Sequence, residues 1–111
     1  MNNVWSPEID AVLSVGYSLE DVGIKNWALN RSQALASIGK FESSGVAILG
    51  GDVYHLIGGR VEHTYDNWYC EKNIGESDLE FLKRSLLKAK LYIENYQVGG
   101  ALFALVPLIC R

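Results

Sequence analysis

The chain has 111 residues, 49% of them apolar, and a net charge of −3. That is enough for one domain, spanning 1–111, with a modest core. The acid excess argues against nucleic acid as a direct partner. The apolar tail over 101–110 falls short of the roughly twenty residues that cross a bilayer, and no basic leader precedes an apolar run at the start. A soluble cytoplasmic protein is expected, with Cys70 and Cys110 as buried reduced thiols.

Pro7 suits the first turn of a short helix capped by Ser6, with Glu8 and Asp10 at its positive end. Ile9, Val12 and Leu13 give that helix an apolar side. A short turn from Ser18 closes at Gly23. Asn30 is placed to cap a second helix over about 31–42, stopped by Ser43-Ser44-Gly45. Residues 46–57 are rich in branched side chains and read as a strand. Gly58-Gly59 suits a two-residue turn with positive φ. Residues 60–69 return as its partner.

Pairing Ile57 with Arg60 puts His55 opposite Glu62, Tyr54 opposite His63 and Val53 opposite Thr64. Continued without a break, it puts Asp52 opposite Tyr65, Gly51 opposite Asp66, Leu49 opposite Trp68 and Ile48 opposite Tyr69. A bulge at Gly50-Gly51 would shift this register by one.

Ser77-Asp78-Leu79-Glu80 is a capping box. Leu79, Leu82, Leu86, Ala89, Ile93 and Tyr96 then form one apolar stripe on a long helix over about 78–96. Gly99-Gly100 breaks it. Residues 101–109 are continuously apolar, as in a strand buried on both faces. The expected fold is α+β. A small antiparallel sheet, made of a hairpin over about 46–70 and a C-terminal strand, packs against the long helix and shorter N-terminal helices.

Charge is uneven. Residues 1–71 hold nine acids against four bases, whereas 72–111 hold four acids against six bases. The middle of the chain is therefore acidic, which would attract a basic partner or simply be solvated. The hairpin also carries unusual chemistry. Asp52, His55, His63 and Asp66, with Cys70 nearby, could form an acid–base or metal cluster. The spacing lacks HExxH or CxxC patterns, and a cross-strand His55–Glu62 contact is the simpler reading. Gly50-Gly51 and Gly58-Gly59 lack the Lys-Ser/Thr of a phosphate loop. Lys83, Arg84, Lys88 and Lys90 read as a solvated helix face. Trp27 reads as core. Trp68, set among Asp66, Tyr69 and Glu71, fits either a core or a protein interface.

Two segments, Gly50-Gly51-Asp52-Val53-Tyr54 and Thr64-Tyr65-Asp66-Asn67-Trp68-Tyr69-Cys70, carry a resemblance. With Glu76-Ser77, Tyr92-Ile93-Glu94-Asn95-Tyr96 and Asn26-Trp27-Ala28-Leu29, the chain resembles the bacterial immunity proteins of family 40 over about residues 17–96. The resemblance implies a small cytoplasmic inhibitor from a polymorphic-toxin or contact-dependent inhibition system. Such a protein binds the toxic C-terminal domain of its own system, often a nuclease with a basic active site. It implies no catalytic activity, cofactor or metal. The acidic middle of the chain fits that use. Candidate contacts are Asp52, Tyr54, Glu62, Asp66, Trp68, Tyr69 and Glu71. Two other readings stand beside it. One is a small hydrolase or metal enzyme using Asp52, His55, His63 and Asp66. The other is a regulatory domain whose partner docks on the C-terminal strand, should that strand be an open edge.

Overall fold

Local caps start all three α-helices. In a computed structural model, which describes residues 6–109, the Ser6 hydroxyl accepts the Ile9 N–H and opens α1 (Pro7–Leu13). Asn30 and Gln33 form a reciprocal capping box on α2 (Arg31–Ser44). Ser77 and Glu80 form another on α3 (Asp78–Asn95). Each cap satisfies N–H groups that a first helical turn leaves without partners, a contribution of about 1 kcal/mol. Helix α2 runs two residues past Glu42 and stops at Gly45. Cys110, expected as a buried thiol, lies outside the described residues.

Strands β1 (Tyr17–Ser18) and β2 (Trp27–Ala28) form a small antiparallel ribbon around a 3-10 turn, Glu20–Val22. Strands β3 (Val46–Ile57), β4 (Arg60–Tyr69) and β5 (Ala101–Ile109) form an antiparallel sheet in the order β4-β3-β5. The fold is the α+β arrangement expected.

On one face, Ile48, Val53, Phe103 and Leu105 pack with Phe41 of α2 and Phe81, Leu86 and Ile93 of α3. On the other, Leu19 and Ala28 of the ribbon segment pack with Tyr54, Leu102 and Ala104. Alternate residues of β5 therefore enter two different cores, which explains its continuous apolar run.

The stripe on α3 differs from the expected one at its start. Leu79 is 58% exposed, and Phe81 and Ser85 are buried. Ser85 escapes an apolar count because it is polar. Its hydroxyl accepts the Ile48 N–H at 3.1 Å and donates to the Leu82 carbonyl at 3.1 Å. One helix residue thereby satisfies a buried donor of the sheet, which would otherwise cost about 1–3 kcal/mol.

The hairpin register holds near the turn and changes farther out. Ile57↔Arg60, His55↔Glu62 and Tyr54↔His63 pair as expected. Beyond them Asp52 pairs with Asn67, Gly51 with Trp68 and Gly50 with Tyr69. The expected pairings of Asp52 with Tyr65, Gly51 with Asp66, Leu49 with Trp68 and Ile48 with Tyr69 are thus corrected by two residues. The cause is a bulge in which Val53 alone spans the stretch opposite Thr64, Tyr65 and Asp66. A shift of two keeps each side chain on its original face. The one-residue irregularity anticipated near Gly50-Gly51 does occur, but against β5, between Ile48 and Gly50.

The two long edges of the sheet differ. On β5, the N–H and carbonyl of Phe103 bond reciprocally to Leu29 at 2.7 and 2.8 Å, and Asn26 Nδ2 donates to the Leu105 carbonyl at 2.9 Å. The C-terminal strand is therefore covered along its middle and is not an open edge there. Strand β4 has no strand beyond it among the described residues.

Candidate functional site

Gly50 and Gly51 explain why the hairpin carries its tryptophan. A Cβ on Gly51 would come within 2.3 Å of the Trp68 ring, and one on Gly50 within 2.3 Å of the Trp68 carbonyl. Only bare backbone lets the indole lie across β3. Trp68 is 6% exposed and stacks on Tyr92 of α3 at 4.5 Å. Its pairing with Gly51 and its place in the helix-side core put it on that face.

Tyr54 lies on the opposite face, 1% exposed, in the smaller core. Burial, and then the neighbouring Asp52, push its phenol above the ordinary tyrosine value. Of the seven candidate contact residues, Tyr54 and Trp68 thus grip the hairpin from its two sides. Much of the recognisable motif is packing.

The other five reach solvent. The Asp52 side chain is 42% exposed, on the Tyr54 face, and sits 3.7 Å from His63 Nε2. Glu62 is exposed on β4, and Tyr69 is 66% exposed. Lys88 of α3 comes around the β4 edge to donate to the Tyr69 carbonyl and lies 5.6 Å from its ring centre. Asp66 is exposed and accepts the Tyr96 hydroxyl at 2.5 Å. That bond is the main reason the Tyr96 phenol lies above its ordinary value. Glu71 is exposed in the following loop, and Arg84 holds its carbonyl. These residues follow the free β4 strand and its margins and do not make one flat face. Gly50, Asp52, Asn67, Tyr69 and Val106 border a shallow open depression at the end of the sheet that the ribbon leaves bare.

The alternative catalytic set does not converge. His63 pairs with Tyr54 and His55 with Glu62. Adjacent positions on β3 face opposite ways, so the two histidines stand on opposite faces. The described residues contain no group of three or more His, Cys, Asp or Glu placed to hold a metal ion. Cys70 is buried and receives a hydrogen bond from Arg84 Nη1 at 3.2 Å.

Sequence reasoning passed over Tyr65, the most conspicuous side chain of this ribbon. It is 81% exposed and has φ of +71°. A two-residue bulge leaves no periodic signature, so only its cross-strand partners reveal it.

The hairpin offers exposed acids and the aromatics Tyr65 and Tyr69 on a small α+β framework. The chain belongs to the immunity protein 40 family, whose model matches residues 18–107. The match takes in most of β5, to residue 107, as well as all but the first residue of the 17–96 stretch that carries the visible resemblance. Membership implies neutralisation of a toxin protein by a non-enzymatic inhibitor. No curated protein and no solved structure shows significant similarity to the chain. No helix among the described residues is long and apolar enough to cross a membrane.

Proposed function

We propose that this protein binds the toxic C-terminal domain of its own bacterial system in the cytoplasm and blocks it by occlusion. The exposed acids along β4 meet a basic surface on the toxin, as a nuclease active site would provide. The observation that carries this reading is the free, acid-bearing β4 strand. Glu62 and Asp66 lie exposed on it and Glu71 follows it, while Tyr54 and Trp68 hold the hairpin from its two faces. An excess of acids along a fixed strand sets orientation and speeds encounter with an oppositely charged partner. A hydrolase or metal centre built on Asp52, His55, His63 and Asp66 finds no support in this geometry.

The test is coexpression with the C-terminal domain of the protein encoded immediately upstream. Protected cells and a copurifying complex are expected; a toxic neighbour that is neither bound nor blocked would sink the proposal. For mapping, Glu62→Lys combined with Glu71→Lys is cleaner than any change at Asp66, whose carboxylate engages Tyr96. The double reversal should weaken binding by about 2 kcal/mol or more with the fold intact, since like charges in an interface cost several kcal/mol. Undiminished affinity would place the interface elsewhere.

A further inference from the structure

Tyr65 departs furthest from its intrinsic preference. Among the described residues it alone, other than glycines, has a positive φ. Bulky residues avoid that region, and such strain persists only where the surroundings impose it.

Here they do. The Tyr65 N–H donates to His63 Nδ1 at 2.7 Å. The Thr64 hydroxyl accepts the Asp66 N–H at 3.1 Å and donates to the Val53 carbonyl at 2.8 Å. The His63 ring stacks on Tyr65 at 4.8 Å and leans on buried Tyr54 at 4.6 Å. The other His63 ring nitrogen, Nε2, lies 3.7 Å from Asp52. The outcome is an exposed tyrosine whose backbone is fixed and whose ring rests on His63, its hydroxyl without a hydrogen-bond partner among the described residues.

We propose that Tyr65 is the anchor by which this protein grips its toxin, entering an apolar slot rimmed by lysine or arginine on the partner. The proposal rests on the immunity reading and deepens it. A ring set by a fixed backbone and a stacking partner has less freedom to lose on binding. Asp52 lies 3.7 Å from the His63 ring that carries Tyr65 and sets negative charge on the same face, which matches a basic rim. His63 is a positioning residue, acting through the Tyr65 backbone.

The test compares wild type, Tyr65→Gly and Tyr65→Phe for affinity toward the purified C-terminal domain encoded upstream, with melting curves of each free protein. Glycine adopts positive φ without strain, so Tyr65→Gly should melt within about 5 °C of wild type. It should nonetheless bind at least about 30-fold more weakly, mainly through faster dissociation. Tyr65→Phe keeps the ring and should retain most of the affinity. Tyr65→Asn, which also tolerates this backbone, gives the same readout should the glycine variant unfold.

Wild-type binding with an unimpaired Tyr65→Gly would overturn the inference alone. Wild-type protein that neither binds nor protects would overturn the immunity reading, and the inference with it. Self-association of the wild type that Tyr65→Gly abolishes would make a second copy the occupant and overturn the toxin assignment.

Discussion

Glu76 is held from two directions. Arg84 Nε and Nη2 donate to its two carboxylate oxygens at 2.7 and 2.8 Å, and the Asn73 N–H adds a bond at 2.9 Å. Its side chain is 11% exposed. The Arg84 hydrogen bonds lower its pKa from 4.5 to about 2. A carboxyl whose folded value is depressed stabilises the fold above its unfolded value and loses that contribution as pH falls through the folded value. Glu76→Gln should therefore melt below wild type at pH 7. The difference should shrink between pH 4.5 and about 2, read from melting temperatures across that range; a gap that stays constant down to the lower limit would show that the pair is not responsible. The same arginine ties down Cys70 and Glu71, so the pair also fixes the loop that follows β4. At this scale the sequence was legible wherever a residue acts on its near neighbours, as Ser6, Asn30 and Ser77 do. Arg84 was read as solvated surface, because its partners are chosen by the fold and not by spacing.

Helix α3 ends without a left-handed glycine. Tyr96, its C-cap, is extended. The terminal carbonyls are met instead by Arg31, the first residue of α2. Its guanidinium donates to Ile93, to Glu94 at 3.2 Å and to Tyr96 at 2.9 Å. A cation at a helix C-terminus also suits the dipole. Arg31→Ala should cost about 2 kcal/mol, because hydrogen bonds to a charged group are lost and carbonyls are left without partners. Amide exchange should rise first in the last turn of α3; uniform exchange across the helix would count against this role. The existence and type of the long elements were visible in sequence, because caps, turn glycines and apolar periodicity are local. The register past Tyr54 was not. Nothing in the order of Thr64, Tyr65 and Asp66 announces that their backbone will bond to His63 and Thr64 side chains in preference to a strand. The acids named as candidate contacts are accessible, whereas Tyr54 and Trp68 belong to two cores that only the assembled sheet creates.

The whole sheet is closed to growth in two different ways. Along β5, Asn26 and Leu29 occupy groups that a further strand would need. Along β4, the bulge at Thr64–Asp66 and the charges of Arg60, Glu62 and Asp66 break the flat ladder that edge-to-edge pairing requires. Sedimentation should give a mass independent of concentration. Asn26→Ala, which leaves the Leu105 carbonyl uncovered, should introduce concentration dependence; the same constant mass in that variant would show that this side chain is not needed as a guard. On the occlusion proposed above, the protein turns nothing over, so each toxin molecule would have to be matched by inhibitor kept in excess and ready. On that reading the covered β5 edge would bear on dosage, because it would permit a stockpile of this protein without the stockpile consuming itself.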